Sequence, residues 1–561
     1  MKKIYIITIV LILANIVNAQ TRTKRNGGDT LRSDVVVVRA YDPTVPDARK
    51  IIFQPKISDS TKVNVKFNYY INAPKADAEF EIMPIKSAKM LPEPLKKLYQ
   101  SNLTVGYGNY NTPLIEYSFN SLRSKKYNLA IHLKHQSSTG KIKLENLDDK
   151  VFAGYSDNLI SVKSKFFVDF HRVFEAEAGF GRNVVHNYGF NTSKYDIANL
   201  PAKDDYKQRY WNAGAILRYY NNYTDKQHFN YYTSLSYNHL RNLQDNFQNS
   251  INFDAVLSKN LNNELLGADI NLYYYGFTGD SSKVTDRVNF GFKPWVKVGN
   301  KKWELKAGLN LIADTYNSEI NYHFYPNVRL KLHMVDKLMT YYIGIDGKKE
   351  INDYGKIIRE NPFVNPNLQV ENTNHMLDAD MGLRGKVSKT VSYNFGVNYS
   401  IINGMYFYVN DTNALYDNAF TVEYDNILQT GLVADINWEM NEKWNFDLKG
   451  EYFSYKMDSL QKAWHKPEYI ITLGTRYNLQ NKFIVNLNVF AYGIQYAKDM
   501  YTEEVVKLKG TVDASLGFEY RYNKLWSAFL NFNNIGAVKY YRWNQYPTQR
   551  FNMMFGLSYS F

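Results

Sequence analysis

The sequence predicts an all-β chain that closes into a transmembrane antiparallel β-barrel of the kind that spans bacterial outer membranes. Three observations carry this. The last eleven residues, FNMMFGLSYSF, alternate a greasy row (Phe551, Met553, Phe555, Leu557, Tyr559, Phe561) with a mostly small or polar row (Asn552, Met554, Gly556, Ser558, Ser560). That is a strand with one apolar face, and it ends on an aromatic residue. Similar strands recur throughout the 450 or so residues upstream. The composition is 16% aromatic with 48 Tyr, and amphipathic rings of this kind collect at membrane–water interfaces. Mean hydropathy is only −0.45, and past the amino terminus no run of 18 apolar residues exists, so helical spans are not expected. A barrel passes unnoticed by such a test because only every second residue meets lipid.

The chain opens as a secretory signal over residues 1–19. Lys2 and Lys3 form its basic end, Ile4 to Val17 its apolar centre, and Val17-Asn18-Ala19 its cleavage site before Gln20. No Cys follows, so a lipid anchor is not expected. The absence of Cys is also compatible with an oxidising envelope compartment. Losing the two lysines lowers the formal charge of +14 by two. The remaining excess suits contact with anionic headgroups, or a basic pore that attracts anions.

Residues 20–100 have a different texture. Thr21 to Ser33 is polar; Val35-Val36-Val37-Val38 is a bare β segment behind Asp34; and seven of the 15 prolines fall between Pro43 and Pro94. Such spacing resists regular sheet and predicts an extended segment on the periplasmic or lumenal side.

The barrel is expected over 101–561. Its strands are read at 103–109, 114–122, 126–137, 159–170, 173–184, 206–221, 228–241, 246–258, 264–276, 285–298, 302–314, 319–334, 338–347, 374–387, 390–402, 426–440, 443–456, 467–479, 482–495, 509–522, 525–534 and 549–561. That makes about 22, with evenness firmer than the count; 18 or 20 also fit. The strand from Val391 opposes Tyr393, Phe395, Val397 and Tyr399 to Ser392, Asn394, Gly396, Asn398 and Ser400. Short polar turns such as His171-Arg172, Ser388-Lys389 and Gln480-Asn481 alternate with longer loops such as 185–205, 348–373 and 535–548. This predicts one rim of turns and one of loops. Lipid cannot satisfy charge, so Asp269, Asp378, Asp380, Arg384, Asp435, Asp513, Glu519 and Arg521 are expected to point into the lumen, pairing across its wall or lining a path. Phe551, Phe555, Tyr559 and Phe561 mark the terminal strand that the barrel-assembly machinery would read.

Chemistry is scarce. His132 and His135, three apart on one strand, face opposite sides and cannot share a metal. His323 and His333 are roughly 33 Å apart along theirs, and no carboxylate is adjacent to His323 in sequence. The acidic turn Glu145 to Asp149 lacks the spacing and Gly of an EF-hand loop. No G-x-S-x-G, P-loop or Cys cluster occurs. No catalytic, cofactor or metal site, no enzyme activity and no nucleic-acid partner are expected.

Three stretches resemble the barrel of TonB-dependent outer-membrane receptors of the Bacteroidetes type. Asn361 to Gly385 resembles the loop-to-strand passage in which an Asn-Pro pair leads into a strand. Tyr325-Pro326-Asn327-Val328 resembles the start of a mid-barrel strand, and Asn531 to Phe561 is similar to the closing pair. Asp34 to Ala40 resembles the energy-coupling box, which adds a strand to a partner's sheet edge. The resemblance implies a transport barrel in the cell outer membrane, with a TonB-like coupling protein or a surface lipoprotein as partner. It departs from the family between Ala40 and Leu103, where about 60 Pro-rich residues stand in place of a globular plug. The expectation is therefore a plugless, porin-like relative that passes a solute through a polar lumen. The alternative is a structural or assembly barrel that docks a periplasmic or surface partner through residues 34–100.

Overall fold

A computed structural model describes residues 98–561 apart from 198, 224–226, 263, 280–283, 317–318 and 336–337. The signal sequence, the Asp34 to Val38 segment and nearly all of the Pro-rich stretch lie outside the described residues.

Twenty-two antiparallel strands form one closed sheet. In chain order they are β1 (Ser101–Gly108), β2 (Thr112–Asn120), β3 (Tyr127–Ser138), β4 (Tyr155–Phe167), β5 (Arg172–His186), β6 (Lys207–Asn221), β7 (Phe229–Arg241), β8 (Phe247–Leu261), β9 (Glu264–Thr278), β10 (Val284–Gly299) and β11 (Trp303–Tyr316). They continue as β12 (Glu319–Val335), β13 (Met339–Glu350), β14 (Thr373–Lys386), β15 (Val391–Asn410), β16 (Phe420–Glu439), β17 (Trp444–Met457), β18 (Tyr469–Leu479), β19 (Phe483–Tyr492), β20 (Thr511–Arg521), β21 (Trp526–Asn533) and β22 (Asn552–Ser560). Each pairs with its sequence neighbours, and β22 returns to β1, with Gly106 opposite Gly556 and Leu103 opposite Tyr559. The ring leaves no edge at its seam, as a lipid-embedded sheet requires.

Alternation sorts the two faces. On β22, Met553, Phe555 and Leu557 are exposed, as are Leu103, Val105 and Tyr107 on β1 and Phe395, Val397 and Tyr399 on β15. The opposite row carries the polar residues. Turns at one rim, which also holds Phe561, are tight; Gln480 and Asn481 both take left-handed φ (52° and 56°), the I′ geometry that matches strand twist. The other rim carries most of the long connections, and we call it the loop rim.

The structure departs from the expected boundaries mainly there. β15 and β16 run 20 residues each, well past the expected 402 and 426, after a bulge between Ile402 and Met405. Beyond the bulge both faces of this hairpin are covered, so Met405 to Val409 shows no polar alternation. The loop 351–372 contains a helix, α1 (Tyr354–Glu360), capped by Asp353, whose carboxylate accepts the Lys356 N–H at 2.6 Å.

Candidate functional site: a loop-built cap over one mouth

Loops from widely separated strands meet in one buried core at the loop rim. The connection from β13 to β14 supplies Tyr354, Ile357, Val364 and Val370; the β15–β16 hairpin supplies Tyr408 and Phe420; the β21–β22 connection supplies Trp543 and Tyr546. They pack on Tyr210, Leu240, Tyr275 and Phe277, which stand on the polar-row side of β6, β7 and β9 and therefore inside the wall. Ile357, Val364 and Phe420 are fully buried. Strands β13 and β22 lie nine apart in a ring of 22, so these contacts bridge much of the mouth.

Hydrogen bonds pin the β13–β14 loop across the opening. Tyr210 Oη donates to the Pro362 carbonyl (3.0 Å), Asn242 Nδ2 to that of Pro366 (2.9 Å), and Arg287 to that of Val370 (2.7 Å). Gln248 Oε1 accepts the Gly355 N–H (2.9 Å), and Tyr273 Oη donates to Asp353 (2.5 Å). Phe363 stacks on Tyr546 with centroids 4.0 Å apart. The other face of the β15–β16 hairpin buries Phe407 and Val409 against Trp464 of the loop after β17. The cap is thus a small packed domain made of connections.

Two titratable groups are locked inside it. Glu360, at the end of α1, accepts from Tyr406 Oη (2.6 Å), Tyr408 Oη (3.2 Å) and Lys466 Nζ (3.1 Å). Burial alone would raise its carboxyl; the Lys466 ammonium and the two hydroxyls outweigh that and hold it below the usual range. His465 is buried between Phe420 and Trp543. Its Nδ1 lies 2.9 Å from the Tyr408 carbonyl oxygen, which can only accept, so Nδ1 carries the proton; Nε2 accepts the Asn544 N–H at 3.1 Å. Burial pushes this imidazole down to about 4.

The cap also holds a cleft between its loops. A cavity of about 660 Å³ lies between the loops after β3, β5, β19 and β21, lined by Phe190, Tyr501, Tyr540, Tyr541, Lys507 and Lys509 among others. Asp417 stands in it, accepting from Tyr501 Oη (2.9 Å) and Asn191 (2.8 Å). A smaller cavity of about 190 Å³, lined by Glu360, Lys466 and Arg542, shares Lys509, Thr511, Tyr540 and Tyr541 with the cleft. The hydroxyl of Thr511 is buried and has no partner among the described residues. Aromatic planes, amides and lysine ammonium groups together can hold a polar solute by stacking and hydrogen bonding.

Below the cap the wall is polar. Gly179, Gly181 and Gly214 open a hollow of about 480 Å³ beside Lys134, Glu177 and Asn212. Nearer the other mouth, Arg329, Lys331, Asp380 and Arg384 border one of about 660 Å³. The residues singled out in the sequence stand on this polar row. Asp378 meets His375 (3.2 Å) and Lys348 (3.8 Å), Asp380 meets Arg329 (2.8 Å), and Glu519 meets Arg521 (2.7 Å). Asp435 accepts from Asn394 (3.0 Å), Arg384 lies over the Tyr342 ring (5.7 Å), and Asp269 accepts from Trp295 (2.9 Å). Asp513 is buried and accepts the next residue's N–H (2.6 Å). On the terminal strand Phe551, Phe555 and Phe561 are exposed, and the Phe561 carbonyl accepts the N–H groups of Gln100 and Ser101. Tyr559 stacks on Phe561 with centroids 5.3 Å apart.

The expectation that His323 has no carboxylate beside it holds only along the chain. Strand pairing sets it at 2.5 Å from Asp314 of β11. The cap itself had no signal in the sequence beyond the Asn361-Pro362 pair and the clustering of aromatics in loops.

No family model and no curated protein matches the sequence. Solved structures do match its shape. The ferric enterobactin receptor of Pseudomonas aeruginosa aligns with a TM-score of 0.62 at 11% identity, over 83% of this chain and 81% of that one. The FrpB iron transporter of Neisseria meningitidis gives 0.65 at 10%, over 83% and 82%. The siderophore receptor PiuA of Acinetobacter baumannii gives 0.60 at 12%, over 83% and 82%.

This chain has their barrel fold. At such identities the likeness is one of architecture, and what those proteins carry is not transferred by it.

Proposed function

We propose that this protein is an outer-membrane transport barrel, a relative of TonB-dependent receptors, that admits a solute through its polar lumen when the loop cap yields. The observation that carries this reading is the cleft of about 660 Å³ set into a cap that spans the mouth above a polar, hollowed wall. In this reading residues 1–19 are removed on export, residues 20–100 lie on the periplasmic or lumenal side in place of a globular plug, and 101–561 span the membrane. Asp34 to Val38 offers a strand to a TonB-like partner. Asp378, Asp380, Arg384, Asp435, Asp513, Glu519 and Arg521 line the path. The barrel-assembly machinery reads Phe551, Phe555, Tyr559 and Phe561. No catalytic role is assigned.

Single-channel conductance of the refolded mature chain, with and without residues 20–100, tests the reading. The expected result is a closed channel that opens in bursts, more often when Ile357→Ala loosens the cap. Silence in all forms would favour the second reading, a structural barrel that docks a partner. That reading draws on the same packed core, since a mouth sealed by Ile357, Val364 and Phe420 need never open.

A further inference from the structure

Three guanidinium groups gather around one indole on the outward face of the barrel. The register of β5, β6 and β7 sets Arg182 directly opposite Trp211, and Trp211 directly opposite Arg241. Arg209, two residues from Trp211 on β6, lays its guanidinium over the indole, 4.0 Å from the ring centroid. The face is fixed by the neighbours. Phe180, paired with Ala213 two residues below, is exposed on the lipid row. Tyr210 and Leu240, next in sequence to Arg209 and Arg241, point the other way into the cap core. Arg172, at the tight-turn rim, is the one other arginine on the outward row of the described strands.

Their height is that of a headgroup layer. On β6 Trp211 and Tyr219 bracket Ala213, Ala215 and Leu217, an aromatic ring at each edge of an apolar band. At ~3.3 Å per residue and a tilt near ~45°, Arg209 stands about 23 Å above Tyr219, and Arg241 as far above Tyr231 on β7. An apolar band is about 25 Å tall, so the guanidinium groups lie at its margin on the loop-rim side. Their aliphatic stems cover apolar surface while the charged heads reach past it. At the same end the outward rows of β1, β9 and β22 hold Tyr107, Tyr274 and Met553 instead. The nearby carboxylates are already matched: Asp245 holds Arg241 at 2.7 Å, and Asp204 holds Lys207 at 3.0 Å. Arg182 and Arg209 have no ion pair among the described residues, which leaves two positive charges on this face.

We propose that Arg182, Arg209 and Arg241, gathered at Trp211, bind the phosphate monoester of a lipid headgroup in the leaflet at the loop rim. A guanidinium is a planar fork that fits two phosphate oxygens at once. A phosphate monoester carries about 1.5 to 2 negative charges at neutral pH, which matches the two unpaired cations; a phosphodiester carries one. Neighbouring strands are about 4.8 Å apart, so Arg182 and Arg241 stand roughly 10 Å apart across β6, and both reach a headgroup seated over Trp211. The chain before Leu98 enters the wall at the opposite rim, where the Gln100 and Ser101 N–H groups donate to the Phe561 carbonyl, a membrane's width from this face. The proposal rests on the reading above only for the bilayer around the barrel and does not require transport.

Native mass spectrometry of the refolded mature chain, released from micelles doped with phosphatidic acid, phosphatidylglycerol or phosphatidylcholine, tests this. Heat-modifiable gel migration first selects closed barrels, so the result is read whether or not the channel conducts. The expected result is one retained phosphatidic acid, bound at least tenfold more tightly than phosphatidylglycerol and more tightly still than phosphatidylcholine. Arg182→Gln with Arg209→Gln should abolish that preference, and Arg172→Gln at the other rim should keep it. Arg182→Gln alone removes one charge and should lower the preference about threefold, which keeps the site testable if the double variant fails to fold. Equal retention of phosphatidic acid and phosphatidylglycerol, or an unchanged preference in the folded Arg182 variants, would overturn the proposal. Displacement of the bound lipid by inorganic phosphate at the same concentration would also overturn it, since the site would then serve a free anion.

Discussion

Acid should loosen the cap through His465. The imidazole is neutral and satisfied at both nitrogens, donating to Tyr408 and accepting from Asn544. Protonation would set an N–H donor against the Asn544 N–H in a site closed by Phe420 and Trp543. Burial lowers the folded value to about 4, from an ordinary 6.5. The cap therefore has its full stability above about pH 6.5, where both states are neutral, and loses it as pH falls toward about 4, because the open form takes up the proton first. The loss works out at about 1.4 kcal/mol near pH 5.5, about 2.6 near pH 4.5, and saturates at about 3.4. The charged neighbours, Glu360 and Lys466, are paired with each other; Glu360 titrates below the usual carboxylate range, so its contribution is lost only at the acid end of this window. Hydrogen exchange of the Gly355 and Asn544 amides at pH 7.5, 5.5 and 4.5, corrected for intrinsic rates, measures the opening free energy. The His465→Asn variant keeps a donor near the Tyr408 carbonyl and cannot ionise, so its profile should be flat over this range. An equal fall in wild type and variant, or no fall in wild type, would refute the argument.

Other outcomes follow from the same geometry. Ile357→Ala removes a fully buried side chain from the centre of the cap and should destabilise it locally by about 2–5 kcal/mol, seen as faster exchange confined to the loop rim. Leu516→Arg places a charge on the lipid row of β20 and should cost about 2–4 kcal/mol in refolding titrations, while Ser515→Arg on the polar row should be near neutral. Gly556→Ala puts a Cβ 2.4 Å from the Val105 carbonyl oxygen, a backbone atom, at the β1–β22 seam; heat-modifiable gel migration should show fewer closed barrels. Glu360→Gln strips Lys466 of its carboxylate and should cost the cap roughly 1–3 kcal/mol, read by the same exchange experiment.

The barrel was legible because lipid enforces a period. A residue between hydrocarbon and lumen must be apolar on one side and is free to be polar on the other, so Val391 to Ser400 and Phe551 to Phe561 announce strands, faces and count. Turns such as Gln480-Asn481 were legible for a similar reason, since so short a connection demands residues that tolerate left-handed φ. The candidate site obeys no such rule. The cap is built from connections buried on all sides, where Met405-Tyr406-Phe407-Tyr408-Val409 shows no alternation and Ile357 looks like any loop residue. Partners such as His323 with Asp314, or Glu360 with Lys466, are joined by register and by loop docking, which sequence spacing does not encode. Sequence alone determined what faces lipid; the fold decided what closes the mouth, because that depends on contacts between segments far apart in the chain.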